Sequence, residues 1–378
     1  MSIVDTLATI TKEGASDIFI VAGRELTYKL NGRMYTEGES KLMPSDTEQM
    51  ISAIYELGHR EMRKLDETGD DDFSFALKGV ARFRINAYKQ RGSLSAVIRV
   101  ITFHIPKPEE LGIPEKIIQL SEKKKGLVLI TGPAGSGKST TLACMVDHIN
   151  SNRESHIITL EDPLEYLHPH KKSIVSQREV VSDTESYLTA LRASLRQSPD
   201  VILLGEMRDS DTISVAMTAA ETGHLVLSTL HTVGAANTIE RIIDAFPPNQ
   251  QHQIYIQLSM VLQAVVSQQL LPTVDGGIVP AFEIMTLNPA IRTNIREKKI
   301  QSIDSVIDTS SQEGMISMNT SLLNLIKEGK ISEKTAFSYT TNAENLTNKI
   351  YYANKGGSAS AAAASNDAPA KEKRGILW

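Results

Sequence analysis

Cysteine and tryptophan are almost absent from this chain of 378 residues, which has one of each, Cys144 and Trp378. A single thiol excludes an intrachain disulfide framework and a zinc site made of cysteines from one chain. Long apolar runs are missing too, since none approaches the ~20 residues that a membrane-spanning helix needs. The N-terminus also lacks the basic and then apolar pattern of a secretory signal. We therefore expect a cytoplasmic protein with no inserted membrane segment.

The sequence also has no excess of positively charged residues. The sequence has 40 lysines and arginines against 45 aspartates and glutamates, a net charge of −5, and 5% aromatic residues. A motor that moves along nucleic acid needs a basic channel with interleaved aromatic side chains. No nucleic-acid partner is therefore expected. A basic patch inside a pore does not show in composition, so a nucleic-acid motor of the RecA class stays an alternative.

Residues 1–103 are predicted to form a small α+β domain. The apolar spacing predicts a helix at 3–14, and Asn31-Gly32 is a strong hairpin signal between two short strands. Ser45, with Glu48 three residues later, predicts the N-cap of a second helix. Further strands are predicted at 17–21, 26–30, 72–77, 81–88 and 94–103. Residues 104–114 (HIPKPEELGIP) hold three prolines and a glycine, which predicts a linker.

Residues 115–355 are predicted to form an α/β domain, because apolar strand-like runs alternate with helical stretches. The runs are 126–132 (GLVLITG), 156–162 (HIITLED), 201–206 (VILLGE) and 224–231 (HLVLSTLH). Continuous apolar strands between helices are typical of a mainly parallel sheet covered on both faces.

The last third of the sequence is expected to be helical and then disordered. From about residue 250 the apolar spacing predicts helices, on the evidence of Ile254, Leu258, Val261, Leu262 and Val265. Residues 356–378 are rich in alanine, serine and glycine, and they are predicted to be a disordered low-complexity tail.

One segment carries a strong chemical signal. Residues 132–139 (GPAGSGKS) fit the phosphate-loop pattern G-x-x-x-x-G-K-[ST] between a predicted strand and a predicted helix. Glycines let backbone N–H groups turn toward phosphate oxygens, the helix N-terminus adds positive potential, and the serine hydroxyl can ligate Mg²⁺. The predicted nucleotide-binding residues are Gly132, Pro133, Ala134, Gly135, Ser136, Gly137, Lys138, Ser139 and Thr140. Because the guanine-specific tetrapeptide Asn-Lys-x-Asp is absent, we expect ATP rather than GTP.

Polar side chains end three of the later apolar runs. Glu161 and Glu206 end two of them, and Thr229 and His231 end the third. An ATP-hydrolysing site needs an acid that supports Mg²⁺ and a group that orients the attacking water, both at the carboxyl edge of the sheet beside the phosphate loop. Three polar strand ends behind one phosphate loop therefore predict a catalytic site. A small-molecule kinase remains an alternative, although no acceptor-pocket signature is evident after residue 250.

The sequence resembles the secretion ATPases of type II and type IV machines and, among them, the PilT-like retraction ATPases of type IV pili. The resemblance covers about residues 1–350. The blocks that carry it are 132–140 (GPAGSGKST), 158–168 (ITLEDPLEYLH), 191–209 (LRASLRQSPDVILLGEMRD), 221–247 (ETGHLVLSTLHTVGAANTIERIIDAFP), 290–297 (AIRTNIRE) and 314–322 (GMISMNTSL). Thr293 and Asn294 depart from the family pattern AIRNLIRE.

The resemblance implies a fold and a set of residue roles. It implies a homohexamer in which each copy pairs a PAS-like N-terminal domain with a RecA-like ATPase domain, with ATP at the seam. Glu161 would be the general base, Glu206 would hold Mg²⁺ through water together with Ser139, and His231 would sense the γ-phosphate. The family's charge-neutralising arginines match Arg82, Arg84 and Arg99.

The resemblance also implies partners and leaves the subtype open. The expected function is ATP hydrolysis that powers pilus retraction and twitching motility. The expected partner is a pilus platform protein at the inner face of the cytoplasmic membrane, with a paralogous pilus ATPase as a further candidate. The motif at 16–20 (SDIFI) and the long tail favour an accessory PilU-like protein, whereas 205–209 (GEMRD) favours a PilT-like one. An assembly or type II secretion ATPase is a further alternative, but it would normally have a longer N-terminal region.

Overall fold

A computed structural model describes residues 2–30, 32–101 and 104–364 of the chain. The chain divides into two compact units. The first comprises residues 1–106 and 143–205, and the second comprises 107–142 and 206–378. The chain passes from the first to the second inside the predicted linker, where residues 104–114 form turns without helix or strand. The predicted domain boundaries themselves stay predictions.

The N-terminal part of the first unit contains an antiparallel sheet of six strands in the order β3-β2-β1-β6-β5-β4. The strands are β1 (Asp17–Ile20), β2 (Leu26–Leu30), β3 (Arg33–Glu37), β4 (Asp70–Leu77), β5 (Ala81–Gln90) and β6 (Ser93–Ile101). The helices are α1 (Ile3–Lys12), α2 (Pro44–Leu57) and α3 (Arg63–Thr68). Along β5, buried Phe83 and Ile85 alternate with partly exposed arginines, so one face of the strand joins the core and the other carries Arg82 and Arg84.

The predicted α+β organisation of this region is confirmed, with one correction. The hairpin forms between β2 and β3, with Leu30 opposite Arg33, and Gly32 has a positive φ, while Asn31 lies outside the described residues. The predicted cap at Ser45 is wrong. Helix α2 begins at Pro44, and the carboxylate of Asp46 accepts a hydrogen bond from the N–H of Met43 at 2.7 Å. Proline is favoured in the first turn of a helix because its φ is already helical and its missing N–H is not needed there.

Seven further strands fall into two groups, in the order β10-β8-β9 in the first unit and β13-β12-β7-β11 in the second. They are β7 (Gly126–Thr131), β8 (His156–Glu161), β9 (Ile174–Glu179), β10 (Val201–Leu204), β11 (Leu225–Leu230), β12 (Leu262–Pro272) and β13 (Ile278–Thr286). In the first unit β10, β8 and β9 are parallel. In the second unit β11, β7 and β12 are parallel, and β13 is antiparallel to β12. Every residue of β7, β10 and β11 is buried, as predicted for strands covered on both faces.

Eleven helices follow the N-terminal sheet within the described residues, and none of those described is long and apolar enough to cross a membrane. They are α4 (Glu115–Gln119), α5 (Lys138–Asn152), α6 (Tyr187–Ser194), α7 (Ser210–Glu221), α8 (Ala235–Asp244), α9 (Pro248–Val261), α10 (Pro289–Arg296), α11 (Ile303–Thr309), α12 (Met318–Lys327), α13 (Glu333–Tyr339) and α14 (Ala343–Ala364).

The prediction that the chain is helical from residue 250 is wrong in part. Helix α9 ends at Val261, and Leu262 and Val265 belong to β12, which pairs with β7 and β13. Most residues of β12 are buried, and a buried apolar run has the same appearance in a helix and in a strand.

The predicted tail also needs a correction. Helix α14 continues through Ala364 instead of ending near residue 355. Its last residues are mostly alanine, the residue with the highest helix propensity. Residues 365–378, on which the rest of the tail prediction falls, lie outside the described part of the chain.

Candidate nucleotide site

The phosphate-loop motif connects the buried strand β7 to helix α5, which begins at Lys138. The N–H of Gly132 donates a hydrogen bond to the carbonyl oxygen of Leu230 at the end of β11, at 3.3 Å. Gly132 has φ of 141°, and a Cβ at this position would lie 2.1 Å from the backbone oxygen of Gln268 on β12. The loop therefore turns between two neighbouring strands at a point where only glycine fits.

The ammonium group of Lys138 is held inside this loop. Its Nζ donates hydrogen bonds to the carbonyl oxygens of Gly132 at 2.9 Å and Pro133 at 2.8 Å, and the residue is 8% exposed. Burying a charge is costly unless hydrogen bonds compensate for the lost water. The loop's own carbonyls supply that compensation, and they fix a positive charge where the motif predicts phosphate.

Ser136 provides a test of whether this loop fits a phosphate group. The hydroxyl of Ser136 is buried and, within the described residues, has no hydrogen-bond partner. Buried polar atoms without partners are rare, and they often mark the binding place of an ion or ligand. A phosphate oxygen beside the N-terminus of α5 would accept a hydrogen bond from this hydroxyl, so the residues present fit a nucleotide phosphate. Ser139 and Thr140 lie partly exposed in the first turn of the same helix.

Glu206 and His231 come together at the edge of the sheet where the phosphate loop begins. In the parallel pairing of β7 with β11, Thr131 lies opposite Leu230, so Gly132 and His231 each follow a strand at the same edge. The Nε2 atom of His231 lies 3.7 Å from the Oε2 atom of Glu206. The other carboxylate oxygen, Oε1, forms an ion pair with Arg208. Glu206 is two residues beyond the end of β10, where the sequence predicted it to end the strand.

The oxygen atoms of Ser139 and Glu206 suit Mg²⁺, which prefers hard oxygen ligands and usually keeps several waters. The described residues contain no cluster of three or more histidine, cysteine, aspartate or glutamate side chains that could hold a metal ion by themselves. A magnesium ion that is shared with the phosphates of a nucleotide is consistent with this sparse set of protein ligands.

Glu161 lies in the first unit, at the end of β8. Its carboxylate oxygen Oε1 lies 3.5 Å from the amide nitrogen Nε2 of Gln177 on β9. The pKa of Glu161 is raised to about 7, mainly by burial and also by the nearby charge of Glu165, while hydrogen bonds from Thr159 and Gln177 act in the opposite direction. A carboxylate whose pKa lies near neutrality is well suited to act as a general base.

The three predicted arginines lie on strands of the first unit. The Nη2 atom of Arg82 on β5 lies 3.4 Å from the Oε2 atom of Glu179 on β9. Arg84 lies directly opposite Arg99 on β6, and both line a cavity of about 420 Å³ with residues 163–166, which follow Glu161 closely in the chain. Arg99 is largely exposed, and its Nε lies 3.2 Å from Asp17. The structure thus gives Arg82 a buried partner and leaves Arg99 near the surface.

Four residues that contact the candidate site residues were not predicted from the sequence. They are Gln177, Glu179, Arg208 and Gln268. Gln177 and Glu179 lie on β9, whose mixed sequence IVSQRE lacks the uniform apolar run that revealed its neighbours. Arg208 is close to Glu206 in the sequence, and this proximity was a signal that could have indicated its ion pair.

Residues 2–321 match the family described as type II/IV secretion system protein. The chain belongs to this family. It is 45% identical to the type IV pilus retraction ATPase PilT of Pseudomonas aeruginosa, over 89% of this chain and 97% of that protein. It is 38% identical to the type IV pilus ATPase PilU of the same organism, over 90% of this chain and 89% of that protein.

A solved structure agrees with this assignment. The crystal structure of the pilus retraction motor PilT with bound ADP shares 45% identity and a TM-score of 0.84, over 92% of this chain and 99% of the other. The predicted family and the mixed α/β fold are therefore confirmed. The family and the phosphate loop together indicate that the protein uses a nucleotide. The higher identity to PilT than to PilU favours the PilT-like subtype.

Proposed function

We propose that this protein is an ATP-hydrolysing motor that powers type IV pilus retraction and thereby twitching motility. The observation that carries the proposal is the phosphate loop with its buried Lys138 and unpartnered Ser136, at the same sheet edge as the Glu206–His231 pair. The likeness to PilT supplies the link to pili. The N-terminal six-stranded region is proposed to be PAS-like and the phosphate-loop region to be RecA-like.

Each site residue has a distinct task in the proposed hydrolysis. Glu161 accepts a proton from water while the water oxygen bonds to the γ-phosphorus, and the bond from that phosphorus to the bridging oxygen breaks to leave ADP. Lys138 and the loop N–H groups neutralise charge on the phosphates. Ser139 and Glu206 would hold Mg²⁺, the latter through water, and the ion supplies further charge neutralisation when bound. His231, whose Nε2 lies 3.7 Å from Oε2 of Glu206, is assigned the sensing of the terminal phosphate.

The arginines and the assembly complete the proposal. Arg82, Arg84 and Arg99 are assigned the stabilisation of negative charge that develops on the phosphate during hydrolysis, a role that can contribute about 10³- to 10⁵-fold in rate. The active form is proposed to be a homohexamer in the cytoplasm. It would act on a pilus platform protein at the inner face of the cytoplasmic membrane, together with a paralogous pilus ATPase where one is present.

Two experiments test the function. Purified protein should release phosphate from ATP without an added acceptor, and single-stranded DNA should not accelerate it. A requirement for a small-molecule acceptor would favour a kinase, and stimulation by DNA would favour a nucleic-acid motor. Deletion of the gene in its host should leave excess unretracted pili, restored by the wild-type gene but not by Lys138→Ala. Bald cells would instead indicate an assembly ATPase, and normal retraction would indicate an accessory, PilU-like role.

A further inference from the structure

The carboxylate of Glu179, at the end of β9, is buried and joins several parts of the first unit. Glu179 is 5% exposed. Its Oε1 accepts hydrogen bonds from the hydroxyl of Ser74 on β4 at 2.9 Å and from the hydroxyl of Ser182 at 3.2 Å. Its Oε2 accepts from the backbone N–H of Leu164 at 3.4 Å and faces Arg82 at 3.4 Å. A buried charge with this many partners is held in a defined place.

These partners connect two sets of residues that have separate proposed tasks. Leu164 is three residues after Glu161, the proposed general base, and Glu161 lies directly opposite Glu179 in the pairing of β8 with β9. Ser74 and Arg82 belong to the N-terminal sheet, where β4 pairs with β5. Glu179 is thus a single group that bonds both to the segment after the general base and to the proposed charge-stabilising arginine.

Within the described part of the chain, Arg82 has a single anchoring partner, Glu179. Its side chain is 19% exposed, and its contact with Glu179 is a single long one through Nη2, not a two-pronged pair. Its Nε is buried and has no hydrogen-bond partner among the residues that the structure describes. Guanidinium has five N–H donors in a rigid fork, so one fixed contact can orient the group while other donors remain for an anion.

We propose that Glu179 is a positioning residue that holds Arg82 in a fixed relation to the segment 161–164. The proposal rests on the proposed function, in which Arg82 stabilises charge on the phosphate. Without the negative charge of Glu179, the guanidinium loses its buried anchor and samples other orientations. A small displacement of a charge-stabilising group can reduce turnover about 100-fold while substrate binding changes little.

Glu179→Gln tests this directly, because glutamine keeps the size and a hydrogen-bond acceptor but removes the charge. We expect kcat for ATP hydrolysis to fall about 10- to 100-fold, with KM for ATP changed by less than about twofold. Ser74→Ala removes one hydrogen bond and keeps the ion pair, so it should lower kcat by only about 3-fold. Glu185→Gln, which changes an exposed carboxylate six residues after Glu179 in the chain, is the matched control and should leave kcat unchanged.

A double substitution separates positioning from a merely structural role. If Glu179 acts through Arg82, then Arg82→Ala with Glu179→Gln should be no slower than Arg82→Ala alone. If the double variant instead loses the product of the two single-variant reductions in kcat, the proposal is overturned. It is also overturned if Glu179→Gln lowers the melting temperature but leaves kcat unchanged. Normal kcat in Arg82→Ala would remove the role of the arginine and the proposal with it.

A measurement without turnover keeps this test distinct from the test of the proposed function. Glu179→Gln should increase backbone hydrogen exchange in segment 162–166, because the N–H of Leu164 loses part of its acceptor's charge. Unchanged exchange there would refute the positioning role even in a protein without ATPase activity. Absence of hydrolysis by the wild-type protein, with the exchange change present, would instead refute the proposed function alone.

Discussion

Replacing Glu161 with glutamine should abolish hydrolysis and at the same time stabilise the protein above neutral pH. The expectation follows from the pKa of Glu161, which burial raises from 4.5 to about 7. At pH 8 the folded chain has to keep a charged carboxylate in poorly solvated surroundings, whereas the unfolded chain exposes it to water. Glutamine has a similar shape and no charge, so it avoids this cost and also cannot accept the proton of water.

The magnitude follows from linkage. A pKa that rises from 4.5 to about 7 corresponds to about 3 kcal/mol, since each unit is worth about 1.4 kcal/mol. The folded state binds more protons than the unfolded state between pH 4.5 and 7, so the free energy of unfolding falls as the pH rises through this window. Below pH 4.5 the carboxyl is neutral in both states, and glutamine then gives no advantage. The gain from Glu161→Gln is therefore expected to be near zero at pH 4.5 and at most about 3 kcal/mol at pH 8.

Two assays check the two halves of this expectation. Phosphate release at saturating ATP should show a wild-type kcat that increases with pH around an apparent pKa near 7, because the general base must be deprotonated. Glu161→Gln should lose at least about 100-fold in kcat at every pH while ATP still binds, as measured with a fluorescent analogue. Thermal unfolding of both proteins at pH 5 and pH 8 should show a small increase in the melting temperature of the variant at pH 5 and a much larger one at pH 8.

One control variant and two possible results test the role and the burial of Glu161. Glu154→Gln, which changes an exposed carboxylate in the same unit, should alter neither kcat nor the melting temperature. If Glu161→Gln retains near-normal phosphate release, Glu161 is not the general base. If the variant gains no stability at pH 8 relative to pH 5, the argument from burial is wrong, whatever happens to activity.

Three further expectations concern the phosphate loop and its neighbours. Lys138→Ala should remove ATP binding and turnover, measured by equilibrium titration and phosphate release, and near-normal turnover would contradict the assignment of the loop. Glu206→Gln should still bind ATP but lose hydrolysis, and its remaining rate should respond more weakly to added Mg²⁺. A rate equal to that of the wild-type protein at every magnesium concentration would exclude the proposed role. Gly132→Ala should lower stability by about 2–4 kcal/mol, because its Cβ would meet the oxygen of Gln268 at 2.1 Å and the backbone has a positive φ. Thermal unfolding checks this against Gly223→Ala, because Gly223 also has a positive φ but a Cβ there would meet no described atom within 4 Å, so the loss of stability should be smaller.

Much of the fold was predictable because its signals are local. The strands β7, β8, β10 and β11 are continuous apolar runs, and their burial on both faces explains why they stand out in the sequence. The strand β12 was predicted as helix because its apolar residues also fit helical spacing, and only its pairing with β7 and β13 makes it a strand. The strand β9 escaped prediction because its sequence IVSQRE mixes polar with apolar side chains.

The sequence by itself predicted the phosphate loop, the apolar strands β7, β8, β10 and β11, the family and the candidate residues Lys138, Glu161, Glu206 and His231, because each of these depends on neighbouring residues along the chain. Only the tertiary structure decided which distant groups meet. It brings Glu206 within 3.7 Å of His231 and pairs Arg82 with Glu179, 97 residues away. Such contacts depend on strand register and on burial. Burial also raises the pKa of Glu161, and it makes a cationic partner favourable for the carboxylate of Glu179. No run of adjacent residues encodes either of them.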